Sequence, residues 1–123
     1  MQIISMQKNS INKVILVGHL GAKPEGRYTS SGKPVTSFSL ATNESWSQGG
    51  EQINKTEWHN VVAWERLADF AQEYLYKGQL VCIEGKLTSR TWQDKENRTV
   101  RVTEVLCSSI TPLEWKGADS SKK

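Results

Sequence analysis

The sequence predicts an all-β domain with a single helix, in which five strands form a small antiparallel, partly open barrel and the helix falls between the third and fourth. Apolar residues alternate with a period of two through most of the chain, whereas residues 66–78 switch to a helical period. The scale fits as well: 123 residues is the length of one domain. Such a chain buries roughly two-thirds of its unfolded surface and needs no covalent staples.

The elements follow in order. Residues 1–10 are polar and expected to be loose. Residues 12–20 (NKVILVGHL) are rich in Val, Ile and Leu and are closed by Gly21, so they read as the first strand. The segment 23–34 is full of turn residues (Pro24, Gly26, Gly32, Pro34), and residues 27–30 are expected to extend the first strand past a bulge. Residues 35–42 (VTSFSLAT) alternate, with Thr36, Phe38 and Leu40 on one face. A polar stretch, 43–55, is expected to be a long hairpin loop marked by Gly49 and Gly50. In the strand 56–64, Trp58, Asn60, Val62 and Trp64 share one face and His59, Val61 and Ala63 the other.

The helix rests on Leu67, Phe70, Ala71, Tyr74 and Leu75, a stripe at i, i+3, i+4, i+7 and i+8. Its start lacks a good N-cap residue. Lys77 is placed in its last turn and Gly78 just beyond, where a positive φ is needed. Two long strands follow, 79–92 and 97–110, joined by a polar hairpin turn at 93–96. In the first, Val81, Ile83 and Leu87 face inward, while Glu84, Lys86, Thr88, Arg90 and Trp92 take the other face. Three strands, a helix and two strands, in that order, match the partly open Greek-key barrel called the OB-fold.

Composition excludes some classes and leaves others open. No apolar run reaches the roughly 18 residues that cross a bilayer, and the N-terminus lacks the pattern of a signal peptide, so a soluble intracellular protein is expected. Cys82 and Cys107 form no disulfide framework or metal pattern and read as reduced, small apolar residues. A formal charge of +3 is too small to announce a nucleic-acid binder.

The tryptophans are more informative. Trp46 lies among Glu44, Ser45, Ser47 and Gln48, and Trp92 among Thr91, Gln93 and Asp94, neighbours that a core does not accept readily. Trp92 also shares a strand face with Arg90 and Lys86. Exposed indoles interleaved with cations suit unpaired bases, which stack on the rings while Lys and Arg follow the phosphates.

Six segments stand in the order and at the spacing of the signature blocks of one family: NKVILVGHLG (12–21), FSLATNESW (38–46), TEWHNVVAW (56–64), EYLYKG (73–78), IEGKLTSRTW (83–92) and TEVL (103–106). Over residues 11–113 the chain resembles the bacterial single-stranded DNA-binding proteins, leaving 114–123 as a short polar tail. The resemblance implies sequence-independent single-strand binding in DNA replication, recombination and repair, with no cofactor, metal or catalytic residue. The place of action would be the cytoplasm, at the nucleoid, or an organellar matrix. It implies base stacking on Trp46, Trp58 and Trp92. Trp64 stands where many members carry Phe, which keeps a stacking ring. Lys13, Arg66, Lys77 and Arg90 match basic positions that hold phosphates, and Lys86 joins them from its strand face. His59 matches a position near subunit contacts, and Cys82 stands where a Tyr is common beside such a contact. Members assemble as homotetramers; a dimer is the alternative here.

The chain departs from the family at several places. Asn60, Thr88 and Thr91 fall where basic residues are common, and Lys23 replaces a usual acidic residue. Trp115 has no counterpart and is expected to pack a terminal segment. The acidic tip through which members recruit repair proteins is not matched by the basic end at 118–123, so that partnership is not carried over.

Other classes fit less well. An enzyme would need a nucleophile–base or metal constellation, which His19, His59, Cys82 and Cys107 do not form. A protein-interaction domain on the same fold should lack the full set of four rings. A duplex reader needs a recognition helix, and the one helix spends its apolar stripe on the core.

Overall fold

A computed structural model describes residues 8–115. Six strands and one helix follow in the order β1 (Val14–Leu20), β2 (Glu25–Tyr28), β3 (Pro34–Gln48), β4 (Glu51–Trp64), α1 (Arg66–Tyr74), β5 (Leu80–Gln93) and β6 (Thr99–Pro112). Hydrogen bonding closes a circuit β1-β3-β4-β6-β5-β1, five strands with the helix between the third and fourth of them. All pairings are antiparallel except β4 with β6, where Val61 meets Val105 and Val62 meets Leu106. This is the predicted OB-fold barrel.

Closure depends on β1 serving two partners. Val14 to His19 pair with β5, and His19 and Leu20 then pair with Ala41 and Leu40 of β3. At the crossover Gly18 lies so close to β3 that a Cβ there would stand 2.2 Å from the Ala41 carbonyl oxygen. Only glycine allows that approach. The expected extension of the first strand is realised as a separate short strand. After a break at 21–24, β2 continues along the same partner, Glu25 opposite Ser37 to Tyr28 opposite Pro34.

The core is the inner face of the alternating strands. Leu20, Phe38, Leu40, Val61, Ala63, Val81, Ile83, Val105 and Cys107 are buried there, and Ala71 and Leu75 cover one end. Full burial of a side chain such as Leu40 or Ile83 contributes roughly 1.5–3 kcal/mol. A bulge between Glu84 and Gly85 of β5 leaves Ser108 of β6 unpaired, so that odd-numbered Val105 and Cys107 and even-numbered Ile110 all turn inward. Thr36 ties the helix down by donating to the Ala68 carbonyl at 3.0 Å in the interior.

Three local expectations are corrected. The stretch 43–55 is not a loop. β3 and β4 pair without a break from Val35–Trp64 out to Gln48–Glu51, and the turn is only Gly49 and Gly50, with φ of +60° and +84°. Two consecutive positive φ values are what a tight two-residue hairpin demands, and glycine supplies both without strain. The ribbon has no apolar face because it leaves the barrel, so polarity there marks solvent exposure and not a loop.

The helix ends at Tyr74, with Leu75 extended and buried, so Lys77 lies outside it. Gly78, at φ +86°, shapes the turn into β5 and donates to the Leu20 carbonyl at 2.9 Å. Of the expected stripe, Ala71 and Leu75 lie in the core and Leu67 and Phe70 pack against it partly buried, while Tyr74 is half-exposed; Ala68, outside the stripe, is buried as well. Leu87, expected inward, shares the inner face with its cross-strand partner Val105, but it stands where β5 and β6 begin to leave the barrel as a second arm and is 50% exposed.

The segment after β6 is latched. Leu113 N–H donates to the Leu80 carbonyl at 2.9 Å, and the fully buried Gln79 amide donates to the Glu114 carbonyl at 2.5 Å. The Glu114 carboxylate accepts from Leu80 N–H at 3.1 Å. Trp115 then packs edge-on against Phe70 and Tyr74, with ring centroids 6.5 and 6.1 Å away.

Candidate nucleic-acid interface

Trp46, Trp58, Trp64 and Trp92 are 42, 59, 41 and 45% exposed, far too open for core-filling indoles. Strand register decides where each points. Trp58 lies opposite Ala41 and Trp64 opposite Val35, so both rise from the outer face of β4 with Asn60 and Val62 between them. The Trp58 ring edge rests on Gly21, where a Cβ would stand 2.5 Å from its Cζ3. Trp92 lies opposite Val100 near the tip of the β5–β6 arm, on the face that carries Arg90 and Thr88. Trp46, opposite Ile53, falls on the other face of the β3–β4 ribbon from Trp58 and Trp64, and its Nε1 donates to Gln48 Oε1 at 3.4 Å.

Between the outer face of β3–β4 and the β5–β6 arm runs an open groove of about 400 Å³. Lys23, Ser39, Asn60, Val62, Arg90 and Glu104 line it. Its floor therefore includes the two residues that separate Trp58 from Trp64, and its wall the next residue on the face of Trp92. Three of the four rings thus belong to strand faces that meet at one groove.

The cations do not all follow. Lys13 and Lys86 line a different groove of about 560 Å³, beside Ile11, Gly85 and Ser108 at the bulge. Arg66 opens α1 and Lys77 sits in the turn behind it; both are exposed and neither lines either groove. Arg90 does line the first groove, but its Nη2 and Nε donate to Glu104 Oε2 at 3.0 and 3.2 Å. Lys23, from the break between β1 and β2, lines the groove without an ion pair among the described residues.

Two groove residues were not legible as site residues. Lys23 stands in a turn-rich stretch and is noticed only as a departure. Glu104 looks like an ordinary strand-face carboxylate, yet the hairpin register puts it opposite Thr88, diagonal to Arg90. Counting back from the hairpin turn was the one signal that could have found it. That turn is firmly held. The Asp94 carboxylate accepts the backbone N–H groups of Glu96 and Arg98 at 2.8 and 2.9 Å, and Arg98 Nε at 2.9 Å. The Arg98 backbone bond is the main influence keeping the Asp94 carboxyl below its ordinary range.

The residues assigned to subunit contacts stand apart. The His59 ring Nε2 hydrogen-bonds Thr42 Oγ1 at 2.9 Å, on the face of β4 that continues the core. Cys82 lies between Val17 and Thr111 on the outer face of β1, β5 and β6. Ile15 and Val17 on that face are 58 and 52% exposed, and Leu113 at its edge is 48% exposed. The buried Cys107 is pushed up to about 11 by desolvation. Among the described residues no three His, Cys, Asp or Glu side chains stand where they could hold a metal ion, and no helix is long and apolar enough to cross a membrane.

Residues 11–113 match the single-strand binding protein family. The chain belongs to this family. Within the single-strand binding proteins it is 44% identical over 108 residues to single-stranded DNA-binding protein 1 of Chlorobaculum tepidum, covering 86% of this chain and 67% of that protein. Among solved structures it is similar to a Plasmodium falciparum SSB in complex with ssDNA, with a TM-score of 0.77 and 33% identity. That match spans 89% of this chain and all of the other (100%). The barrel and the family assignment thus agree, and residues 11–113 include every strand and the helix.

Proposed function

We propose that this protein binds single-stranded DNA with little sequence preference and protects it during replication, recombination and repair. The observation that carries the reading is the meeting of the Trp58–Trp64 face and the Trp92 face at one open groove. Every base offers a π-face, so half-exposed rings along a groove bind a strand without reading it. In single-strand binders as a class, this family among them, stacking is worth roughly 1–3 kcal/mol per base. Trp46 takes a further base where the strand passes to the ribbon's other face. The place of action is the cytoplasm, at the nucleoid. The reading includes no catalytic step and no cofactor.

The exposed Ile15, Val17 and Leu113 beside Cys82 support self-association through the outer face of β1 and β5, as a homotetramer or a dimer. A strand could then pass from the groove of one copy to the next.

The test is a titration of intrinsic Trp fluorescence with oligo-dT and with duplex DNA at two salt concentrations. Strong quenching by oligo-dT alone, weakened by salt through counterion release, is expected. Emission unchanged by both ligands refutes the reading. Light scattering decides the assembly, and a monomer at micromolar concentration refutes the proposed self-association.

A further inference from the structure

We propose that Glu104 removes Arg90 from the set of phosphate-binding cations in the groove and leaves Lys23 to fill that role. The inference rests on the reading that the groove holds the strand.

Family resemblance makes Arg90 a phosphate ligand. In the structure two of its guanidinium nitrogens are engaged by one carboxylate oxygen, at 3.0 and 3.2 Å. The Glu104 side chain is only 14% exposed, whereas that of Arg90 is 57% exposed. The carboxylate is therefore the sheltered, weakly screened partner. A phosphate approaching Arg90 meets a cation whose charge is already compensated, with the negative charge held just behind it. The pairing still has a use. It fixes the guanidinium plane one step along the strand face from Trp92, where it serves as a flat surface beside the ring and not as a point charge.

Lys23 lines the same groove, as does Glu25 two residues on, and neither is in an ion pair among the described residues. Lys23 projects from the break between β1 and β2, where the chain runs past the Trp58 ring at Gly21. A flexible, strongly hydrated ammonium at that point can follow a phosphate between bases stacked on Trp58 and Trp64. Asn60 on the groove floor carries no charge, so Lys23 supplies a cation to that part of the groove from the neighbouring wall.

The dependence of oligo-dT affinity on salt separates these roles. Each phosphate neutralised on a single strand contributes about 0.7 to the slope of log K against log salt. Lys23→Met is expected to flatten the slope by about 0.7. Glu104→Gln, which keeps an oxygen for Arg90 but removes the charge, is expected to steepen it by about 0.7 and to tighten binding at low salt. The double variant R90M/E104Q is expected to return the slope to the wild-type value. Near-UV circular dichroism and the melting temperature check that each variant is folded, and E104A is read in the same way where E104Q is not. An unchanged or flatter slope in both Glu104 variants, or an unchanged slope in K23M, overturns the proposal while wild-type binding stands. Absence of oligo-dT binding by the wild type overturns the groove reading and this proposal together.

Discussion

Replacing Gly21 with Ala should weaken single-strand binding by displacing Trp58 while leaving all four candidate stacking rings in the chain. A Cβ at this position would stand 2.5 Å from Trp58 Cζ3, 3.0 Å from its Cη2 and 2.9 Å from Ser39 Oγ. All three are closer than carbon and its neighbours tolerate, and the serine hydroxyl can rotate away while the rigid indole must swing as a body. With 59% of its surface open, Trp58 has room to do so. The folding cost should therefore sit near the low end for added core volume, about 1 kcal/mol. Binding suffers more, because a displaced ring no longer presents its face to a base. Loss of one stack is worth roughly 1–3 kcal/mol, or about 5- to 160-fold in Kd. Oligo-dT titrations and thermal melts of G21A, W58A and the double variant supply the assay. Trp58→Ala should weaken binding by the same factor, and G21A added to it should change little further, since the group it displaces is gone. The reasoning is refuted if G21A binds like the wild type, or if it weakens binding as much in the W58A background as alone.

Other perturbations probe the frame. Gly18→Ala forces a Cβ onto the Ala41 carbonyl at the strand crossover, where backbone cannot move aside; a loss of roughly 3 kcal/mol or more, read by urea unfolding, is expected. Gln79→Leu should cost about 2 kcal/mol in the same experiment by stranding the Tyr76 N–H and the Glu114 carbonyl. Trp115 packs on the helix, so a variant with Phe at the four other Trp positions should keep its emission when oligo-dT is added. Asp94 has a folded-state pKa below its ordinary 3.8, so its support of the hairpin is present above that value and lost as pH falls through the lower folded one. Protection of the Glu96 and Arg98 amides, measured against their intrinsic exchange rates, should fall in that window, and Asp94→Asn should abolish that fall in protection. The Cys107 thiol, raised to about 11, should resist alkylation at pH 8 in the folded protein and react once urea exposes it.

Much of this was legible in the linear chain because it is periodic. Alternation put Phe38 with Leu40, and Val61 with Ala63, on shared faces before any strand was paired, and the pairing made those faces the inner ones; a few residues of helical period located α1 between the right two strands. The rings were legible for the opposite reason: Trp46 and Trp92 sit among polar neighbours where a core indole does not belong. Periodicity also failed where its cause was missing. The ribbon at 43–55 and the outer half of β5 have solvent on both faces, so burial imposes no alternation that distinguishes strand from loop or buries Leu87.

What the sequence determined by itself was therefore the barrel, its helix and which tryptophans are candidates for base stacking, all set by local pattern and residue chemistry. Only the tertiary structure decided which of them work together. Trp58, Trp64 and Trp92 stand on strand faces that meet at one groove while Trp46 faces away, Arg90 is held by Glu104, and Lys23 enters from a turn far back in the chain. Those outcomes depend on strand register and on the closure of β1 onto β3. Both bring together groups that are remote in sequence, and no local periodicity encodes such a meeting.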